Sequence, residues 1–339
     1  MPLIENKLEF LDMLDERLAS KNKIYLASHG DADGISSAYL TAYAFRKNKP
    51  EVYFPRKFKH TKNLNGTDAD IVTDKCPDKT FKGIVIDHHP DHKEDCDYPY
   101  WIGSGGKPAA LLALELFKEK IPKELWWKAV PGIVGDGVPE KVPGWVWKAH
   151  PHLLESLGTI RKWKGKTNVY KNPVWFLLSS PLNSACRAGK RNLAFTALVG
   201  ARTPLDIIQH PGLQECKTMV NKEVDRARMA SRSIDLGTIN VLIVNSNYKI
   251  ASTLAWELNS NDRKTAIVIN EGTGNGSVRG VLVDFLKENI DPAWGLGGHS
   301  GFAGISFPDI NAEGEEHKVK RREQVLDFVD ALREAQRGI

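Results

Sequence analysis

Short apolar runs alternate with longer amphipathic segments over roughly the first 140 residues. Leu8, Leu11, Leu14 and Leu18 recur at helical spacing and predict a helix over about 5–20. Ile24 to Ser28, Val52 to Phe54, Ile71 to Thr73 and Ile84 to Ile86 predict strands, and the segments between them are long enough for crossovers. That alternation implies a parallel sheet with helices on both faces. Residues 108–120 predict a buried helix with Pro108 near its start, and a further helix is expected from about Lys123 to Val130. The pattern then loosens. Residues 142–152 are rich in Pro, Gly and Trp, and residues 204–234 are helical and polar, as a connector would be. A second alternation follows: a strand over Ile239 to Val244, a helix near Ala251 to Leu258, and strands over Thr265 to Ile269 and Ser277 to Phe285. Val325, Phe328, Val329 and Leu332 share one face of a terminal helix. The expected organisation is a parallel-sheet α/β domain over 1–200, a helical connector over 201–235, and a smaller mixed-sheet α/β domain over 236–339.

The polar residues that follow these apolar runs carry the chemistry. Ser28-His29-Gly30-Asp31-Ala32-Asp33-Gly34 follows the first strand, Asp74 the third and Asp87-His88-His89 the fourth. Gly135-Asp136-Gly137 follows Gly132-Ile133-Val134, which is taken as another strand end. In an open α/β sheet, ligands bind outside the carboxyl ends of the strands, so these groups can converge on one crevice. Oxygen and nitrogen donors without thiolates suit Mn²⁺ or Mg²⁺ better than structural zinc. An isolated Asp-x-Asp-Gly is most often a turn, and a turn at a strand end is also what would present two carboxylates. A single aspartate such as Asp74 or Asp136 is usually a cap; here each follows an apolar run, and two divalent ions need more negative ligands than the first and third blocks supply.

Composition narrows the class. The chain has 339 residues, 41% hydrophobic and 26% charged, enough for two ordinary globular cores. A formal net charge of +5 is compatible with an anionic partner without requiring one. The four cysteines are widely spaced with no Cys-x-x-Cys pair, against a zinc ribbon or a disulfide framework. No apolar region near the N-terminus resembles a secretory signal and no run approaches a membrane span, so a cytoplasmic protein with no membrane partner is expected.

These blocks resemble those of the DHH phosphoesterase superfamily, named for Asp-His-His. Gly295-Leu296-Gly297-Gly298-His299, followed by Phe302-Ala303-Gly304, resembles the terminal glycine loop of the DHHA1 domain. Pro181-Leu182-Asn183-Ser184-Ala185-Cys186-Arg187 is similar to a segment of the RecJ exonuclease branch. The resemblance runs from the first strand to near the C-terminus. It implies that His29 and Asp31 hold one metal, that Asp33, His88 and Asp136 hold another, and that Asp74 bridges them. It implies that His89 touches the scissile phosphate and that Asp87 is the carboxylate behind it. Gly297, Gly298 and His299 are then expected at a nucleotide site, with Arg279 making a phosphate contact and Asn183 and Arg187 lining the substrate channel. Leu296 stands where the family's loop usually has its first glycine, and Phe302 where a small residue is usual.

The implied activity is a two-metal phosphodiesterase with Mn²⁺ as the expected ion and Mg²⁺ the alternative. Its expected substrate is single-stranded DNA or RNA, hydrolysed from an end to mononucleotides. Oligoribonucleases and cyclic dinucleotide phosphodiesterases are similar proteins and form the second reading. A binding module of the same fold that has lost catalysis, associated with replication or repair factors, is the third; it ranks last because every expected ligand residue is present.

Other constellations carry less. Gly272-Thr273-Gly274-Asn275-Gly276 lies between two predicted strands and is a hairpin turn rather than a dinucleotide fingerprint. Gly103-Ser104-Gly105-Gly106-Lys107-Pro108 lacks the spacing of a P-loop. Arg161, Lys162, Lys164, Lys166 and Lys171 interleave with Trp163 and Tyr170 and no acid, the composition that single-stranded nucleic acid binding uses. A solvated charged face is the plainer reading of that stretch. Arg56, Lys57, Lys59 and Lys62 form a second basic cluster.

Overall fold

The computed structural model describes residues 3, 4, 6–55, 61–89, 96, 98–101, 106–163, 166–262, 264–299, 301–308 and 314–337, without the side chains of 159–163, 166–169, 261, 262 and 299. Arg56, Lys57 and Lys59 of the second basic cluster, Lys164 of the first, and the Gly103-Ser104-Gly105 tract lie outside the described residues. Two compact units are present, Met1–Lys217 and Thr218–Ile339. Among the described residues no helix is long and apolar enough to cross a membrane.

The first unit begins with α1 (Lys7–Leu18), β1 (Tyr25–Ser28), α2 (Ala32–Ala44), β2 (Glu51–Tyr53), β3 (Ile71–Thr73), β4 (Ile84–Ile86) and β5 (Tyr100–Trp101). The five strands form a parallel sheet in the order β2-β1-β3-β4-β5. β3 and β4 are buried throughout, which is why their sequences are continuously apolar rather than alternating. Register decides the chemistry. Ser28 pairs with Thr73, and Thr73 with Ile86, so the carboxyl ends of three adjacent strands lie level. The residues that leave those ends, His29, Asp74 and Asp87, therefore emerge side by side.

Helices complete this unit: α3 (Ala109–Phe117), α4 (Val130–Gly135), α5 (Gly144–Ala149), α6 (Val174–Arg187), α7 (Arg191–Gly200) and α8 (Pro204–Ile208). The expected strand before Asp136 is instead α4. Its apolar run is buried against helices, and two glycines allow the approach. A Cβ on Gly132 would lie 2.6 Å from Ala110 Cβ, and one on Gly135 would lie 2.9 Å from Ala32 Cβ. The core of this unit joins Leu26, Ile35, Leu40, Leu112, Ile133, Leu178 and Leu198. Between α5 and α6 the basic stretch forms an antiparallel hairpin of β6 (Ser156–Trp163) and β7 (Lys166–Pro173).

The unit boundary falls within α9 (Pro211–Met229). The second unit contains β8 (Arg232–Asp235), β9 (Ile239–Val244), α10 (Ala251–Asp262), β10 (Thr265–Asn270), β11 (Asn275–Arg279), α11 (Val283–Asn289), β12 (Gly297–His299), β13 (Phe302–Ser306) and α12 (Gly314–Gln336). Its sheet is mixed, in the order β12-β13-β11-β10-β9-β8, with β9 and β10 the parallel pair. Val325, Phe328, Val329 and Leu332 of α12 join the core of this sheet. The expected strand from Ser277 to Phe285 ends at Arg279. Gly280, at φ +130°, turns the chain out of the sheet and α11 follows. The expected loop over 297–299 is a short edge strand paired with β13.

Gly132→Ala places a methyl against both Ala110 and Asp33, neither of which is the end of a flexible side chain. Overpacking of this kind costs about 1–3 kcal/mol, and the denaturant midpoint of the variant is expected to fall accordingly. An unchanged midpoint would show that α4 yields without cost.

Candidate metal centre

The loop from β1 to α2 and the first turn of that helix supply three donors. Asp31 is the N-cap of α2, and its Oδ1 accepts from Gly34 N–H at 3.0 Å. Its Oδ2 lies 2.9 Å from His29 Nδ1. A Cβ on Gly34 would lie 2.2 Å from the His29 carbonyl oxygen, so the turn closes only with glycine there. Gly30 is needed for a different reason: its Cβ would lie 2.2 Å from Arg191 Cδ, and the Arg191 guanidinium crosses it to donate to the carbonyls of Phe54 (3.3 Å) and Pro55 (3.5 Å). Sequence reasoning singled out Arg187 and missed Arg191; the unexplained glycine between His29 and Asp31 was its only trace.

Asp33 faces inward from the first turn of α2 and is 1% exposed. Its two oxygens accept the N–H groups of Ala109 (2.7 Å) and Ala110 (2.8 Å) at the start of α3, which has no capping side chain of its own. Such amides are left unpaired by the helix and carry its positive end, so they favour an anion. Asp74 follows β3 at φ +53°, a left-handed conformation that Asp tolerates better than most residues. Its N–H donates to Ile86 O at 3.0 Å, tying it to the neighbouring strand end.

The four blocks meet. His88 Nε2 lies 3.3 Å from Asp74 Oδ1, 3.3 Å from Asp136 Oδ2 and 3.6 Å from Asp33 Oδ2. His29 Nδ1 lies 3.6 Å from Asp74 Oδ2. Three donor groups result among the described residues, His29–Asp31–Asp74, Asp33–His88–Asp136 and Asp74–Asp87–His88–His89, each with donor atoms within 4.8 Å of one another; the first two match the expected ligand sets. Asp74 turns one oxygen to each of those two. Asp87 is fully buried; its Oδ1 accepts from His88 N–H at 2.8 Å and lies 2.7 Å from His89 Nδ1.

Electrostatics show what this cluster lacks. Burial pushes the Asp33 carboxyl well up, and the charges of Asp136 and Asp74 add to it. Burial likewise lifts Asp136 to about 7, against some relief from His88. Burial disfavours the His29 cation, but Asp31 and Asp74 outweigh it and hold that imidazole protonated up to about 9. The same contest, with Asp87 as the main partner, takes His89 to about 10. Among the described residues no donor hydrogen-bonds the buried Asp74 Oδ2, and His29 Nδ1 stands 3.6 Å away. A buried carboxylate oxygen without a donor, amid carboxyls that suppress each other's ionisation, fits a divalent cation. The imidazole and carboxylate donor set fits Mn²⁺ or Mg²⁺.

The remaining expected residues fall into two groups. Asn183 and Arg187 lie on α6. Asn183 Oδ1 accepts from Ala32 N–H at 2.8 Å, so this side chain anchors the turn that carries Asp31 and Asp33. Arg187 loses solvation, which lowers its pKa, and the charges of Cys186 and Asp31 offset part of that. Gly297, Gly298, His299 and Arg279 belong to the second unit. Gly298 has φ +138°, and a Cβ there would lie 2.7 Å from Phe302 O, so the edge strand requires glycine. Arg279 stacks over the Phe302 ring at 5.1 Å and donates to Val278 O at 3.1 Å. Phe302 pairs with Arg279 on one side and His299 on the other, which sets these three positions in one row across the sheet. The His299 side chain lies outside the described residues.

No protein-family model and no curated protein matches this sequence. Solved structures do. The Mn²⁺ complex of RecJ from Thermus thermophilus aligns with 96% of this chain at a TM-score of 0.65 and 16% identity. This chain spans 55% of that protein's length. An exonuclease RecJ bound to manganese aligns over 99% of this chain and 97% of its own, at TM-score 0.62 and 16% identity. The DHH domain of a protein described as belonging to a ribosomal protein family aligns over 96% and 92%, at TM-score 0.60 and 13% identity.

Because His29 and Asp136 hold protons that a cation must displace, Mn²⁺ binding is expected to release protons at neutral pH. The apparent affinity should therefore rise from about pH 6 towards about pH 9, where His29 is losing its proton unaided. Calorimetry in two buffers of different ionisation enthalpy measures the release. Binding that is independent of both pH and buffer would exclude these two residues as ligands.

Proposed function

We infer that this chain, which has the RecJ-like DHH/DHHA1 fold, is a metal-dependent hydrolase of phosphoric esters. Within that class we assign it to two-metal exonucleases that release mononucleotides from single-stranded DNA or RNA. One observation carries the reading: the buried Asp74 carboxylate presents one oxygen to the His29–Asp31 group and the other to the His88 group, as a bridging ligand must. In the proposed assignment His29 and Asp31 hold one ion, and Asp33, His88 and Asp136 the other. Mn²⁺ is the proposed ion and Mg²⁺ the alternative, in keeping with the ions in the RecJ structures.

A pair of divalent ions, when bound, supplies neutralisation of the phosphodiester charge and water acidic enough to give hydroxide near neutral pH. The protein's own groups do the rest. The α3 amides hold Asp33 oriented before any ion arrives, and Asn183 holds the turn that carries Asp31. Asp87 fixes the ring of His89 and keeps it cationic, so His89 is suited to stabilise charge on the phosphoryl oxygens or to give a proton to the leaving oxygen. Arg187, close enough to Asp31 to feel its charge, is proposed as a phosphate contact. The second unit is proposed as the nucleotide-binding domain, through Gly297, Gly298, His299 and Arg279. The 1–200, 201–235 and 236–339 division is kept as the proposed functional one.

Hydrolysis of short oligonucleotides or cyclic dinucleotides is the second reading. The same donor groups would serve it, because the scissile phosphodiester is the same chemical group in all of these substrates. A length series of single strands separates the two: higher kcat/KM on dinucleotides than on long strands selects the second.

Asp74→Asn keeps a residue that accepts the left-handed backbone while removing the bridging charge. It is expected to lower Mn²⁺-dependent hydrolysis by at least about 100-fold, with the unfolding midpoint retained. Activity within a few-fold of the parent protein would end the two-metal assignment. Asp87→Asn removes the main charge that holds His89 protonated, so the alkaline limb of the kcat profile should move to lower pH. A limb that stays in place would rule His89 out as the charge-stabilising or proton-donating group.

A further inference from the structure

The corner between α6 and α7 meets the loop that joins β1 to α2 at three successive residues. Asn183, Arg187 and Arg191 follow one another at intervals of four. Asn183 Oδ1 accepts from Ala32 N–H at 2.8 Å, and Arg187 lies close enough to Asp31 to feel its charge. The side chain of Arg191 runs over Gly30, where a Cβ would come within 2.2 Å of its Cδ and 2.3 Å of its Nε. The two chains thus run in opposite directions along the contact. Gly189, at φ +75°, turns the corner, and Lys190 N–H bonds back to Ala185 O at 2.8 Å. Arg191 is the first residue of α7. Its Nη1 donates to Phe54 O (3.3 Å) and Pro55 O (3.5 Å), just past the end of β2. β2 pairs with β1 as far as Ala27 and Tyr53, so Arg191 spans the exits of two neighbouring strands. The other donor group is held by different means: Asp33 by the amides of Ala109 and Ala110, and Asp136 by the packing of α4.

We propose that Arg191 is a positioning residue for one metal site of the pair: it holds the His29–Asp31 turn closed and leaves the Asp33–His88–Asp136 group untouched. The proposal rests on the two-metal reading above and names what orders one half of that site before an ion arrives. Gly30 separates the two donors, and glycine has more conformational freedom to lose on ordering than any other residue. With no side chain of its own to restrict it, this peptide is restricted by whatever covers it. The stem of Arg191 covers it by direct contact. The guanidinium is anchored beyond, to carbonyl oxygens at the exit of β2, which belong to a different segment from the turn. Arginine suits this task because its planar fork keeps its direction while a lysine would offer a point charge. Gly30 has no left-handed φ, so the close approach of Arg191, rather than the backbone conformation, accounts for glycine at this position. Groups that orient metal ligands in this way change metal affinity by about 10–100-fold when they are lost.

The test is a cycle of three full-length variants: Arg191→Ala, Gly30→Ala and the two combined. Arg191→Ala uncovers the turn, and Gly30→Ala pushes the Arg191 stem out of its place. Once Arg191 is shortened, the methyl added at position 30 has room, so the double variant should be no worse than either single one. Mn²⁺ binding is followed by calorimetry and by electron paramagnetic resonance, in which a coupled pair of ions differs from a single one. The parent is expected to bind two ions per chain. Each variant should keep one of them at parental affinity and bind the other about 10–100-fold more weakly, with the coupled signal lost at limiting Mn²⁺. Arg191→Lys, which keeps a stem over Gly30, should lose less than Arg191→Ala. Hydrogen exchange on the metal-free proteins needs no ion: it should quicken in a peptide covering residues 28–34 and stay parental in one covering 106–112. At saturating Mn²⁺ the variants should recover the parental KM for a dinucleotide. Equal weakening of both ions, equal loosening of both peptides, or additive losses in the double variant would reduce Arg191 to general stability and overturn the proposal. Parental ion binding with a raised KM would make Arg191 a substrate contact and overturn it as well. A parent protein that binds a single ion, with exchange quickened only in the 28–34 peptide of the variants, would overturn the two-metal reading and leave the role of Arg191 in ordering the turn standing.

Discussion

Like charge confined in a small buried space is the constraint on which the rest of the first unit depends. Asp33, Asp74 and Asp136 surround one imidazole, and burial penalises the ionised carboxyls of Asp33 and Asp136 in addition to the repulsion each meets from Asp74. A protein that had only to fold would place apolar residues there. The surrounding structure carries the devices that such a cluster needs. Two amides at the start of α3 point at Asp33, His88 lies among the three acids, and Asp74 is held in a left-handed conformation by a hydrogen bond to the next strand end. Sparsely populated backbone conformations persist where the surroundings over-determine them, and they gather at functional sites.

The same interactions that tolerate the charge also stiffen the site. Asp31 caps α2 and Asp33 satisfies the first amides of α3, so two helix starts are fixed by two of the proposed ligands. Gly132 and Gly135 let α4 pack against those helices, which brings Asp136 from a separate element to within 3.3 Å of His88. The donors are thus positioned by helix termini and level strand ends rather than by loop conformations that an ion would have to organise. Preorganisation of this kind lowers the cost of binding a cation.

Periodicity made the middle of the first sheet legible because β3 and β4, and β1 after its first residue, are buried, leaving a continuous apolar run with a polar residue at its end. His29, Asp74 and Asp87 could be placed at strand ends on that basis, and the level register of β1, β3 and β4 puts them side by side. Asp136 was assigned to a strand end for the same reason and sits after a helix. A short apolar run buried on all sides looks alike in either conformation, and only the helix-packing glycines distinguish it. The strand over 277–285 failed at Gly280, whose left-handed φ no hydropathy pattern carries. Asn183 and Arg191 could not have been read for what they do. The first holds a backbone amide 151 positions away, and the second lies across a glycine at position 30. Such contacts are set by tertiary packing and leave no local periodicity.

What the metal centre does not contain bears on selectivity. In the proposed activity, ions held by these donors would meet only the phosphodiester group, which is the same in a dinucleotide, a long strand and a cyclic dinucleotide. Nothing in the His29–Asp31–Asp74 and Asp33–His88–Asp136 groups can therefore tell these substrates apart. Discrimination by length has to come from groups that only a longer molecule reaches, because selectivity is a difference between affinities and shared contacts cancel from it. In the first unit α6 joins the metal centre to more distant surface: one of its residues anchors the Asp31 turn, and its N-terminus continues from β7. Substitutions along this path should alter preference among substrates while leaving the chemistry on the smallest of them intact. Substitutions among the ligands should lower activity on all of them alike.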